Sequence, residues 1–272
     1  MLSSLAKGGG KWEERMLEVI DLVKYYGKVK AVDGVSFTVQ AGEVFGFLGP
    51  NGAGKTTTIK VCTGLLKPTR GQVRVSGFDI ARNPVEAKRN LGYAPDNPFL
   101  YEKLTAREFL QFVGAVYLRN EPDGVNGRVD ELLELLGLAD RANELIEGFS
   151  YGMKRKVILC AAILHRPRVL LLDEPTSGLD AASARLVKDV FVGLAAGGSA
   201  VLLTTHIMEI AERMCDRIGI IHQGKLIAVG TLDELREQAR SPGSTMEDVF
   251  LSLTEKEGEN DGDRAKENTD TP

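Results

Sequence analysis

The chain has 272 residues, 43% of them hydrophobic and 26% charged, with a formal net charge of -4. That length allows one large domain or two modest ones, the composition is that of a globular protein, and the slightly acidic balance gives no electrostatic case for a nucleic-acid partner. No apolar run reaches the ~18 residues that cross a bilayer, so any action at a membrane needs a partner.

The opening "MLSSLAKGGGKWEER" has no apolar stretch long enough for a secretory signal and reads as a flexible lead over residues 1–15. Next, "MLEVIDLVKYYGKVKAVDGVSFTVQAGEVFGFLG" alternates apolar and polar residues around Gly and Asp-Gly turns. This predicts several short strands, at least partly antiparallel. "EVFGFLG" is a strand that runs into a glycine-rich loop, and "KTTTIKVCTGLL" is the helix after it; "GQVRVSGFDI" reads as another strand pair. From "LTAREFLQFVGAVYL" the apolar period becomes helical, with Thr105 and Glu108 spaced as a capping box, and "VDELLELLGL" is a second helix stopped by Gly137. Strand and helix then alternate through "RVLLLDEP", "AASARLVKDVFVGLAAGG", "AVLLTTH", "IMEIAERMC" and "RIGIIHQGKLIAVG". "VLLL" and "AVLLTT" lack alternation, as strands buried on both faces of a parallel sheet do. An α/β core is therefore expected, interrupted by a helical segment at about 104–164, and the polar end, 255–272, reads as disordered. Cys62, Cys160 and Cys215 lack C-x-x-C spacing and read as free thiols in a reducing compartment.

"GPNGAGKT", Gly49 to Thr56, fits the pattern G-x-x-x-x-G-K-[ST]. Glycines let successive backbone N–H groups turn inward and form an anion-binding nest, and the helix that follows adds its partial positive charge. The loop residues Gly49, Pro50, Asn51, Gly52, Ala53 and Gly54 would wrap the phosphates of a nucleoside triphosphate. Lys55 would reach the β- and γ-phosphates, Thr56 would ligate Mg²⁺, and Thr57 is placed for another phosphate oxygen. Downstream, "VLLLDEP" brings a strand to its end at two carboxylates. Asp173 can hold Mg²⁺ through water, and Glu174 can orient or deprotonate an attacking water.

Three further stretches carry a family resemblance. "FSYGMKRK", Phe149 to Lys156, resembles the signature motif of the ATP-binding cassette (ABC) family; "LLLDEPTSGLD" resembles its Walker B motif and D-loop; "TTH", ending at His206, resembles its switch histidine. The motifs occur in the family's order over roughly Leu17 to Gly230. The resemblance implies a P-loop NTPase core with a mostly parallel sheet, an N-terminal antiparallel β subdomain and an inserted α-helical subdomain, together spanning 16–254. It also implies an ATPase, with ATP and Mg²⁺ as ligands, that works as a head-to-tail cassette dimer, either a homodimer or a dimer with a close paralogue. In such a dimer Ser150 and Gly152 of one copy face the γ-phosphate held by the other, and Asp180 lies at the seam. Tyr26 matches the aromatic that stacks on adenine, with Tyr25 its rival and core packing open for either. His206 matches the residue that contacts the γ-phosphate and positions water. His165 and His222 match nothing in the family and read as structural or surface histidines.

Two departures are visible. Asp96 stands where the family usually has glutamine and would approach Mg²⁺ through water. Tyr151 and Met153 replace the usual glycine and glutamine of the signature. Such variants, and "STMEDVFLSLTEK" near the end, resemble the branch that pairs with separate ABC-2-type permease subunits. The expectation is an ATP-hydrolysing transporter subunit, on the export side, held at the cytoplasmic face of a membrane by permease partners that contact the region from Asp96 to Arg107. A soluble cassette ATPase acting on ribosomes or DNA is the alternative, and a non-hydrolysing regulatory module the third reading.

Overall fold

The computed structural model describes residues 14–255 apart from 98, 120 and 121. Most of the expected lead and tail therefore lies outside the described residues; Arg15 already belongs to the first strand and residue 255 to the last helix. The first part of the chain forms β1 (Arg15–Tyr26), β2 (Val29–Gln40), β3 (Val44–Leu48), α1 (Lys55–Cys62), β4 (Arg70–Val75), β5 (Phe78–Asp79), α2 (Pro84–Arg89) and β6 (Leu91–Ala94). The middle is helical, with α3 (Ala106–Tyr117), α4 (Pro122–Leu135) and α5 (Tyr151–Ile163). Strands and helices alternate again through β7 (Val169–Asp173), α6 (Ala181–Ala196), β8 (Ala200–Thr205), α7 (Met208–Met214), β9 (Arg217–His222), β10 (Lys225–Gly230) and α8 (Leu232–Ala239), and a last helix, α9, covers 246–255.

Two sheets result. One is antiparallel with order β2-β1-β4-β5; the other has order β10-β9-β3-β8-β7-β6 and is parallel except for the β10 edge. The expected antiparallel β subdomain is present, but it begins with two 12-residue strands instead of several short ones. Asp33-Gly34 does not reverse the chain: Gly34, at φ 68°, sits inside β2 where the pairing with β1 slips register, and Asp21, facing Ser36 at a second slip, has φ 45°. The pair is thus absorbed as a bulge that bends the ribbon, while the turn itself falls at Gly27, at φ 57°.

All residues of β3, β7 and β8 are buried. Their alternate side chains divide between two cores, which is why their sequences show no alternation. Val169 and Leu171 join Phe37, Phe45 and Phe47 beneath the antiparallel sheet, whereas Leu170 and Leu172 join Leu110, Leu132, Phe149 and Phe191 beneath the helical segment. Phe37 stacks on both Phe45 and Phe47, with ring centroids 5.2 Å apart in each case. The inserted helical subdomain is seen as expected, with the Thr105–Glu108 capping box in place and Gly137 in the left-handed region after α4.

His165 is structural. Its ring stacks on Tyr117 at 4.1 Å and Nε2 donates to Leu91 O at 3.0 Å, while burial pushes its pKa down to about 4. The three cysteines are free, and burial pushes each thiol up to about 12.

Candidate functional site

β3, β7 and β8 run in the same direction and deliver Leu48, Asp173 and Thr205 to one edge of the sheet, where open α/β sheets place ligand sites. The loop after β3 needs its glycines for space as well as for conformation. A Cβ on Gly49 would lie 2.2 Å from Ile221 O, and one on Gly54, whose φ is 110°, would lie 2.6 Å from Ala31 O. Gly54 caps α1 without any side-chain bond to the first turn, and that turn contains no acidic residue. The N-terminus of α1 is therefore open to an anion. Pro50, Asn51, Gly52 and Thr56 are exposed at this lip, Thr57 is half-buried, and Ala53 packs beneath.

Lys55 is only 6% exposed, and its Nζ donates to Gly49 O at 2.6 Å and Pro50 O at 3.1 Å. It also faces Glu174 Oε1 at 3.6 Å. Burial pushes its pKa below the usual lysine value, and Glu174 opposes that shift. Thr56 Oγ1 donates to Asp173 Oδ1 at 3.3 Å, and Thr204 Oγ1 donates to the same oxygen at 2.6 Å. Thr204 also accepts the Glu174 N–H at 3.1 Å. Glu174 Oε1 lies 2.9 Å from Nδ1 of His206, which is half exposed. Residues far apart in sequence thus converge on one carboxylate. Thr204 was overlooked by sequence reasoning; the signal was a hydroxyl-bearing pair ending an otherwise apolar strand.

The oxygen donors Thr56 and Asp173 suit a hard cation. Among the described residues no cluster of three or more His, Cys, Asp or Glu could hold a metal unaided, so phosphate oxygens and water would have to complete any coordination here. The cradle, the open helix end and this donor set fit a triphosphate with Mg²⁺.

Other expected residues lie apart. Ser150 caps α5, accepting from Met153 N at 3.3 Å, with Gly152 in the first turn; among the described residues neither is hydrogen-bonded to residues 49–57. Asp180 caps α6 by accepting from Ser183 N at 2.8 Å and Ser183 Oγ at 2.9 Å, bonds that hold its carboxyl below the usual range. Tyr25 and Tyr26 are 40% and 47% exposed, so core packing accounts for neither ring. Asp96, expected to approach Mg²⁺ through water, lies in the loop after β6. Its Oδ1 is paired with Arg155 Nη1 at 3.2 Å, because the loop after β6 runs past the buried guanidinium on α5.

The chain is similar to proteins of known family. A family model described as ABC transporter matches residues 32–177. The linearmycin resistance ATP-binding protein LnrL of Bacillus subtilis is 43% identical over 220 residues, covering 81% of this chain and 70% of that protein. The daunorubicin resistance ATP-binding protein DrrA3 of Streptomyces coeruleorubidus is 40% identical over 228 residues, covering 84% and 71%. A solved structure of an ATP-binding subunit of an ABC transporter is similar at a TM-score of 0.83 and 37% identity, covering 88% of this chain and 99% of that one.

Proposed function

The chain belongs to the ABC transporter family of ATP-binding cassettes, and we propose that it is the ATP-hydrolysing subunit of an exporter whose membrane-spanning permease subunits are separate chains. Two relatives are named for resistance to linearmycin and daunorubicin, which supports the outward direction. No described helix is long and apolar enough to cross a membrane, which supports a partner that does.

The observation that carries the catalytic reading is the convergence of Lys55 and His206 on Glu174 Oε1, beside the Thr56–Asp173 pair. On this reading the N–H groups of the loop and Lys55 bind the ATP phosphates, with Lys55 exchanging Gly49 O and Pro50 O for phosphate oxygens. Tyr26 is the surface ring offered to adenine. Thr56 and Asp173 are the donors that would hold Mg²⁺, which supplies charge neutralisation at the phosphates. Glu174 accepts the proton of the attacking water, and His206 holds that carboxylate in place. Thr204 fixes Asp173 and Glu174 together. Phosphoryl transfer demands mostly positioning and charge stabilisation, and these residues provide both.

Ser150, Gly152 and Asp180 are at helix N-termini away from the loop, which supports a role toward a second copy. Two cassettes would bury two ATP molecules, each completed by the partner's α5 N-terminus. Hydrolysis and loss of the γ-phosphate would remove the bridge and release the closed state. Toward the permease, the loop after β6 and α3 present Tyr101, Phe112 and Val116, 57%, 52% and 62% exposed, with Tyr101 edge-on to Phe112 at 6.1 Å. Such an apolar surface suits a membrane-subunit contact and a peripheral position on the cytoplasmic face.

Affinity purification of the tagged chain from gently solubilised membranes of its native cells tests this reading. A polytopic membrane protein in stoichiometric amount is the expected result. Recovery with ribosomes or nucleic acid, and no membrane protein, would overturn the transport assignment.

A further inference from the structure

Arg155 lies behind the Asp173–Glu174 pair and is almost fully buried. Its Nη2 donates to Asp173 O at 3.2 Å and to Glu174 O at 2.5 Å. Its Nη1 donates to Ser177 O at 3.1 Å, Tyr151 Oη at 3.0 Å and Asp96 Oδ1 at 3.2 Å. Tyr151 in turn donates its hydroxyl proton to Asp96 O at 2.9 Å, and its ring closes on Gly178, where a Cβ would lie 2.9 Å from Tyr151 Cε1. Two residues that depart from the family pattern, Asp96 and Tyr151, thus meet at one guanidinium.

The Glu174 backbone sits at φ 49°, a conformation that a residue with a side chain holds only when its surroundings over-determine it. Three bonds do so: Thr204 takes its N–H, while Arg155 Nη2 and the Ser177 N–H both donate to its C=O. A planar guanidinium spans two successive carbonyls as an ammonium cannot. A buried guanidinium also needs a counter-charge, and Asp96 is the carboxylate paired with it. The Asp96 side chain is 41% exposed and belongs to the loop that precedes α3, so movement of that loop separates the pair.

We infer that Arg155 is a positioning residue for ATP hydrolysis, holding the Glu174 backbone while Asp96 balances its charge, so that the position of the loop after β6 sets the competence of Glu174 through one ion pair. This rests on the ATPase reading above and assigns Asp96 to Arg155 instead of to a metal.

The test is a steady-state ATPase measurement on the full chain in its membrane complex, with direct ATP titration and thermal unfolding of each variant. Asp96→Asn and Arg155→Lys should each lower kcat about 10- to 100-fold, as small displacements of reacting groups do, with ATP affinity unchanged. Asp96→Glu, which keeps the carboxylate, should recover most of the rate. Asp96→Asn combined with Arg155→Gln should be no slower than Arg155→Gln alone, because the first change acts through the second residue. Amide hydrogen exchange over residues 174–179 should quicken in Asp96→Asn while residues 49–57 keep their wild-type rate. Full activity of Asp96→Asn, strictly additive losses, or a raised KM at unchanged kcat would overturn the inference. If Arg155 variants fail to fold, Asp96→Asn and Asp96→Glu decide the matter alone. Failure of the wild type to hydrolyse ATP would sink the ATPase reading instead, and the exchange comparison would still decide whether Asp96 holds residues 174–179 through Arg155.

Discussion

His206 Nδ1 lies 2.9 Å from Glu174 Oε1, the same oxygen that faces Lys55 Nζ at 3.6 Å. One carboxylate oxygen therefore engages both the ammonium that would serve the phosphates and the imidazole that would hold the base. On the proposed reading, a bound triphosphate would compete for Lys55 and leave Glu174 to His206 and water. Binding and activation of the base would then be coupled through that one oxygen.

Lys55→Ala should raise the dissociation constant for ATP at least about tenfold, since a charge-assisted contact to phosphate is lost. Direct titration by calorimetry reads this. Unchanged affinity would refute the assignment of the loop.

Thr204→Val keeps the shape of β8 but removes an oxygen that accepts from the Glu174 N–H and donates to Asp173. Burying two polar groups without that partner should cost about 1–3 kcal/mol in denaturant unfolding. ATP should still bind while hydrolysis falls, because the Asp173 carboxylate and the Glu174 backbone lose their common anchor. A variant with wild-type turnover would show that Thr204 is mere filling.

Acid should destabilise the fold through His165. Its folded pKa, about 4, lies below the ordinary histidine value of 6.5 because the ring is buried. The unfolded chain therefore takes up the proton first, so stability contributed by the neutral ring is present above pH 6.5 and is lost as pH falls toward 4. The loss is about 3 kcal/mol at full extent. His165→Phe, which keeps the stacking on Tyr117, should flatten the dependence of unfolding free energy on pH across that window. An unchanged slope would place the acid sensitivity elsewhere.

Much of this site was legible because its chemistry demands particular residues at fixed spacing. Gly49, Gly54 and Lys55 announce a phosphate cradle by their spacing, and Asp173–Glu174 after "VLLL" announces a strand end with carboxylates. What stayed hidden depends on distant chain segments. Arg155 is one cation in a basic run, and only folding brings it under the carbonyls of Asp173 and Glu174. The pairing of Asp96 with Arg155 was likewise hidden, because sequence shows Asp96's place in the motif order but not its neighbours in space. Asp33-Gly34 looked like a turn because the dipeptide suits a turn and a bulge equally. The six-residue α2 is too short to show a period. The capping box that opens α8, Thr231 with Glu234, was readable but went unread.

The most direct measurement is the mass in solution, by light scattering, of Glu174→Gln with and without Mg²⁺-ATP, beside its rate of hydrolysis. A monomer that becomes a stable dimer when ATP is added, with hydrolysis nearly abolished, is the expected result. A variant that stays monomeric with ATP bound, or that hydrolyses ATP at the wild-type rate, would contradict a shared interface closed by ATP and opened through Glu174.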